Sequence, residues 1–239
     1  MVALIPCRAG SSRLPGKNTR LLAGHPVLAY TIAAAQQSGL FSEVWCCSDD
    51  DEAIALSHRM GASIVLREPV SDHQPDIVWV RAALIAANRP DAFAILRPTS
   101  PFRTAETIRR AFQQFTLPDQ TADSLRAVEP VRQHPGKMWQ WTGPGYPMTP
   151  LLDYKRSDGV PWHSCPTQTL PTFYVQNSSL EMAWTANIET HGTIHGRKVV
   201  PFLTEGLEGF ALDYSEDWDR AVALVEAGAV LPPLSSPLA

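Results

Sequence analysis

The first half of the chain alternates short apolar runs with amphipathic stretches, and this alternation constrains the fold more than any other feature. It is the pattern of βαβ units feeding a mainly parallel sheet, an α/β class. Val2–Pro6 reads as a buried strand, followed by a loop rich in Gly, Ser and Arg. Pro26 opens a helix through Ser38, with Gly39 as its stop. A second strand at Val44–Ser48, a helix at Glu52–Arg59 and a third strand at Ala62–Leu66 follow. A helix over 76–88 then leads to a fourth strand over 92–97. After Pro98-Thr99-Ser100-Pro101, a helix at Ala105–Phe115 precedes a fifth strand over 123–128.

The pattern breaks over about 130–171, where prolines, glycines and the aromatics Trp139, Trp141, Tyr146 and Trp162 cluster without a period. A stretch of that length inside a domain is expected to be functional or packed against something else, so it reads as an inserted arm and a dimer contact. Strands resume over 172–175 and 179–184, and Ser215 reads as the N-cap of a last helix through Ala227. The expected organisation is one domain over residues 1–231 and a frayed, proline-rich tail over 232–239.

A net charge of −4 argues against a broad nucleic-acid surface, which needs clustered cations. With no apolar run of spanning length and no leader pattern, a cytoplasmic protein without a membrane segment is expected. Cys7, Cys46, Cys47 and Cys165 lack metal spacing and read as reduced core thiols, with Cys46 and Cys47 on opposite faces of a strand. Trp79, Trp184 and Trp218 read as core residues.

Ligands of open α/β sheets bind beyond the carboxyl ends of the strands, which directs attention to the loops. The loop after the first strand reads Ile5-Pro6-Cys7-Arg8-Ala9-Gly10-Ser11-Ser12-Arg13-Leu14-Pro15-Gly16-Lys17-Asn18. Its glycines let the backbone approach phosphates, and Arg8, Arg13 and Lys17 bring three cations to a triphosphate. A solvated basic turn is the bland alternative, but cations interleaved with glycines after a buried strand favour phosphate binding. The Walker A pattern and G-x-G-x-x-G are both missing, which argues against a P-loop ATPase and a dinucleotide fold.

This loop resembles that of the cytidylyltransferases that activate sialic acids and 3-deoxy-manno-octulosonic acid, IPAR-x-x-S-K-G-x-P-x-K-N in one branch and IPAR-x-x-S-T-R-L-P-G-K in the other. The resemblance continues through Ser48-Asp49-Asp50, Ser71-Asp72, Pro98-Thr99-Ser100-Pro101-Phe102-Arg103, His134-Pro135-x-Lys137, Gln168-x-Leu170-Pro171, Asn177 and Asp213. It implies a Rossmann-like three-layer α/β/α nucleotidyltransferase fold with an inserted dimerisation arm, a homodimer, and CMP transfer from CTP to a small acidic acceptor. It further implies that Arg8, Ala9, Gly10, Ser11, Arg13, Lys17, Asn18 and Asp72 bind nucleotide, with Arg8, Arg13 and Lys17 stabilising the transition state. Arg97, Thr99, Ser100, Arg103, Lys137, Gln176 and Asn177 would face the acceptor.

Three departures fall on the acceptor and metal positions. Arg97 stands where the family has a glutamine that contacts the sugar acid, and a cation there points to an acceptor with more negative charge or fewer hydroxyls. Val175 stands at a family arginine. Asp213 matches one of two aspartates that hold Mg²⁺, the other place being Ala211; a hard cation can keep waters and substrate phosphates, so one carboxylate serves. The leading acceptor is a nonulosonic-type sugar acid. A phosphonate, or a CTP-binding protein without catalysis, are the competing readings.

Overall fold

Strand β1 (Val2–Cys7) has almost no exposed side chain, as befits the centre of a sheet covered on both faces. The computed structural model describes residues 1–10, 13–66, 74–118 and 121–234. Its seven-stranded sheet comprises β1, β2 (Glu43–Ser48), β3 (Ser63–Leu66), β4 (Ala92–Ile95), β5 (Ser124–Pro130), β6 (Tyr174–Trp184) and β7 (Val199–Leu203). They lie in the order β7-β5-β6-β4-β1-β2-β3. β1 pairs in parallel with β2 and β4, and β2 with β3, while β6 runs antiparallel to β4 with Glu181 opposite Ile95. From β1 the chain winds outward to β2 and β3, then crosses to β4 on the other side of β1. The crevice between β1 and β4 is therefore the topological switch point, where doubly wound sheets bind ligands.

Alternation along β1 builds the two faces. Ala3, Ile5 and Cys7 join Leu28 and Ile32 of α1 (Val27–Ser38), Leu56 of α2 (Asp51–Arg59) and Ile108 and Phe115 of α4 (Ala105–Phe115). Val2 and Leu4 point oppositely to Trp79, Val80 and Leu84 of α3 (Asp76–Ala86) and Ile188 of α5 (Ala186–His191). Cys46 and Cys47 likewise divide between the faces, and all four cysteines are buried thiols outside any disulfide. Local chemistry sets the helix ends: Asp50 accepts the N–H groups of Glu52 and Ala53 at 3.0 and 3.1 Å, and Gly39 closes α1 in the left-handed region.

A third cluster lies outside the sheet. Leu14, Leu22, Val27, Tyr30, Phe102 and Leu212 pack with Trp218 and Ala221 of α6 (Ser215–Glu226). Leu14, Phe102 and Leu212 come from three separate loops, so this cluster holds those loops together.

Four expectations need correction. The N-cap of α6 is Tyr214, not Ser215, and the Asp217 carboxylate accepts the N–H groups of Asp213 and Tyr214 at 3.0 and 2.8 Å. Thr172–Val175 and Ser179–Trp184 merge, β6 running unbroken from Tyr174 to Trp184. Trp184 is partly exposed, its ring lying 4.9 Å from Phe115 and its indole N–H donating to the Ala122 carbonyl. The tail is anchored as far as Leu234, which packs against the third cluster, while the Pro233 carbonyl accepts Gln37 Nε2–H at 2.6 Å.

The chain divides into two compact units, Met1–Ala127 with Asn177–Ala239, and Val128–Gln176. The second contains a two-residue antiparallel ladder, Trp139–Gln140 with Thr149–Pro150, and three short 3-10 turns. Its centre is aromatic: the ring of buried His134 lies 5.0 Å from Phe173 and 5.8 Å from Trp162. Trp141, Tyr146, Met148 and Tyr154 are exposed. Among the described residues no helix is long and apolar enough to cross a membrane.

Candidate nucleotide and acceptor site

The loop after β1 is built around Gly10 and Gly16, both in the left-handed region with φ of 72° and 63°, where a side chain would be strained. The Gly16 carbonyl accepts the N–H groups of Thr19 and Arg20 at 3.1 and 2.9 Å, forming a tight turn. Buried Leu14 anchors the loop in the third cluster, leaving Arg13 and Lys17 on either side of the anchor. Asn18 is buried and braces the loop instead of projecting from it, its Nδ2–H donating to the Arg8 carbonyl at 3.4 Å. Asp49, at the end of β2, accepts the Ala9 N–H at 2.6 Å. The sequence singles out Asp49 within Ser48-Asp49-Asp50 without giving it a task; pinning this turn is a task it performs.

Arg13 and Lys17 converge on one carboxylate. Arg13 Nη2 and Lys17 Nζ lie 3.3 and 3.4 Å from Asp213 Oδ1, and Lys17 Nζ also donates to the Leu212 carbonyl at 3.3 Å. Arg13 reaches the Tyr214 hydroxyl at 3.4 Å and stacks on that ring. The Leu212 N–H donates to the Thr99 carbonyl at 2.8 Å, joining this group to the loop after β4. Burial lowers the pKa of Lys17; the Asp213 carboxylate works against that, and Arg13 and Arg8 lower it further. Arg8, Arg13 and Lys17 thus lie close enough to act on one another as like charges, which favours an incoming polyanion.

The loop after β4 is arranged differently. Arg97 is not an unbalanced cation. Its Nη2 lies 2.5 Å from Asp76 Oδ2 and 3.5 Å from Glu181 Oε1, and Glu181 Oε2 takes Arg126 Nη2 at 3.1 Å. Burial acts to lower the Arg97 pKa, but the two carboxylates outweigh it and the net shift is upward. The inference that a bare cation here favours a more negative acceptor therefore fails.

Arg103 is 1% exposed and reaches no acid among the described residues; it donates to the carbonyls of Arg97 and Ser179 and to Thr31 Oγ1, the last at 3.0 Å. Desolvation pulls its pKa down to about 9, so it stays charged at neutral pH. It ties the loop to α1 and β6. Thr99 and Ser100 are buried as well. Asn177 donates to Thr204 Oγ1 at 2.9 Å and accepts the Ser179 N–H at 3.2 Å, bridging β6 to the residue after β7. Lys137 belongs to the second unit, where its ammonium donates to the carbonyls of His163 and Cys165; Gln176 is the exposed last residue of that unit. Ser11 and Asp72 lie outside the described residues.

Comparison with known proteins fits this geometry. Residues 2–134 match the family described as cytidylyltransferase. The chain belongs to the cytidylyltransferase family. Among curated members of the family, it is 30% identical to CMP-N,N'-diacetyllegionaminic acid synthase of Legionella pneumophila over 95% of its own length and 96% of that protein. It is 33% identical to N-acylneuraminate cytidylyltransferase of Escherichia coli over 64% of its length, a match that spans 35% of that longer protein. Among solved structures, a CMP:2-keto-3-deoxy-manno-octonic acid synthetase complexed with CTP superposes with a TM-score of 0.70 at 15% identity, over 95% of this chain and 98% of that one. The family's fold, a mostly parallel sheet between helical layers, is thus the fold of this chain.

Proposed function

We propose that the chain transfers CMP from CTP to a nonulosonic-type sugar acid and releases pyrophosphate. The observation that carries this reading is the convergence of Arg13 and Lys17 on Asp213 at the switch point, beside the glycine turns of the β1 loop. Part-exposed ion pairs at 3.3–3.4 Å are weak, worth about 1 kcal/mol or less, so both cations exchange Asp213 for phosphate oxygens at little cost. Relatives named for legionaminic and neuraminic acids support the acceptor class.

The acceptor oxygen attacks the α-phosphorus in line. The new O–P bond forms as the bond from the α-phosphorus to the bridging oxygen breaks, and that electron pair leaves on pyrophosphate. An ionised acceptor oxygen brings no proton, and a hydroxyl gives its proton to water. Arg8, Arg13 and Lys17 hold the phosphates and neutralise the charge gathering on the leaving group, and the Gly10 N–H lines the same turn, which Ala9 fixes by donating to Asp49. The described residues contain no cluster of three metal-ligating side chains, and Ala211 offers no second carboxylate beside Asp213. That donor chemistry fits Mg²⁺ held mainly by phosphate oxygens and water, with Asp213 as its protein carboxylate. When bound, the ion would supply further neutralisation of phosphate charge.

Two wider features belong to the same reading. The exposed Trp141, Tyr146, Met148 and Tyr154 fit a contact with a second copy of the chain; light scattering should give twice the 26.3 kDa chain mass, and a Trp141→Glu/Tyr146→Glu variant the single mass. Reliance on CTP and four thiols outside any disulfide fits the cytoplasm.

Pyrophosphate release with Mg²⁺ and CTP should depend on an added sugar acid. It should fall at least 100-fold in Arg8→Ala and Lys17→Ala. Unchanged turnover in both variants would contradict the proposal.

A further inference from the structure

Arg97 follows β4, and the Leu96 N–H donates to the Leu4 carbonyl at 3.0 Å, so Arg97 stands at the same sheet edge from which the β1 loop departs. Its surroundings form a line of alternating charge, Asp76, Arg97, Glu181 and Arg126. Glu181 is the buried member, 10% exposed, with each oxygen paired to an arginine. Asp76 and Arg97 are the open end, their side chains 40% and 29% exposed. Asp76 is itself fixed, because its Oδ1 accepts the Trp79 indole N–H at 2.8 Å on the first turn of α3. The guanidinium is thus clamped by two carboxylates on one nitrogen, and the crevice meets a donor and an acceptor side by side.

We infer that Asp76 and Glu181 are positioning residues for Arg97, and that the open Asp76–Arg97 pair selects a singly charged acceptor carrying amide or hydroxyl donors over a compact polyanion. The inference rests on the cytidylyltransferase reading and assigns this pair to its acceptor end. A line in which carboxylates alternate with guanidinia is a poor seat for triphosphate, which the glycine turns and clustered cations of the β1 loop suit. A sugar acid with N-acyl groups gives an N–H or O–H to Asp76 and a carbonyl or carboxylate oxygen to Arg97. A phosphonate with two negative charges meets Asp76 as a like charge wherever it approaches Arg97.

The test is Asp76→Asn, which removes the charge while its amide oxygen still accepts from Trp79. The probes are N,N'-diacetyllegionaminic acid and phosphonoacetate, with CTP and Mg²⁺. The ratio of kcat/KM for the sugar acid over that for the phosphonate should fall about tenfold or more, the loss residing in the acceptor KM while the KM for CTP stays put. Asp76→Glu should restore part of the ratio. A ratio within twofold of the parent, or an equal rise in the KM for CTP, would overturn the inference. Absence of turnover with every acid counts against the proposed function alone. Calorimetry with both probes on protein loaded with a non-cleavable CTP analogue then decides the inference: it expects the parent to prefer the sugar acid and Asp76→Asn to lose the preference. No preference in the parent, or binding of neither acid, would overturn it.

Discussion

The loops after β1 and β4 leave the same sheet edge and both carry arginines, yet they treat positive charge in opposite ways. In the first, Arg13 and Lys17 share one carboxylate, and Arg13 is 54% exposed. In the second, Arg97 is matched by two carboxylates and Arg103 is enclosed by carbonyls and a hydroxyl. A residue type therefore fixes little until its neighbours are known. Cations gathered beside one another suit a polyanion, whereas those set among carboxylates and carbonyls shape a surface or brace a fold.

That contrast is sharpest in substitutions that separate activity from stability. Lys17→Ala should lower kcat/KM for CTP by 100- to 1,000-fold, equivalent to about 3–4 kcal/mol, with little change in Tm; steady-state kinetics and a melting curve on one preparation check both. Arg103→Ala should do the reverse. It strips the donor from the Arg97 and Ser179 carbonyls and from Thr31, so a loss of about 3 kcal/mol in denaturant unfolding is expected, with the KM for CTP little altered in the folded fraction. A Lys17→Ala protein that unfolds, or an Arg103→Ala protein that is stable but inactive, would break the comparison.

Leu14→Ala tests the anchor beneath the cations. Removing a buried side chain from the third cluster should cost about 2–3 kcal/mol of stability and raise the KM for CTP several-fold, because the turn carrying Arg13 and Lys17 loosens. The smallest effect belongs far from the crevice. The backbone N–H groups of Arg197 and Lys198 hold the Asp123 carboxyl below the usual carboxylate range. Its contribution is therefore complete above an unfolded value of about 3.9 and is lost as pH falls through the lower folded value. The gap in Tm between the parent and Asp123→Asn should be modest near pH 7 and shrink below about pH 4.

The fold of the first half is legible in the sequence because the signals there are local. Pro26, Gly39 and the apolar run Val2–Pro6 act within a few residues of themselves. β7 escapes such reading because Pro201 interrupts it and only Phe202 is buried, so it shows no alternation. The unbroken β6 is hidden for a related reason: the polar run Gln176–Ser179 lies in its middle, and apolar residues return only at Leu180. The cation loop is legible as a phosphate site because glycines and basic residues stand together in one run. The state of Arg97 is not, since Asp76 and Glu181 are 21 and 84 residues away and meet it only through the sheet. For Arg103, burial alone separates a ligand-binding cation from a structural one, and no neighbouring residue announces it.

The most direct test of the account is to mix the protein with Mg²⁺, CTP and N,N'-diacetyllegionaminic acid and follow phosphorus by NMR. The account predicts that the three CTP signals give way to pyrophosphate and one new phosphodiester, the CMP-linked acid, with no such product from ATP or GTP. Persistence of intact CTP with this and every other nonulosonic acid, while CTP remains bound, would contradict it.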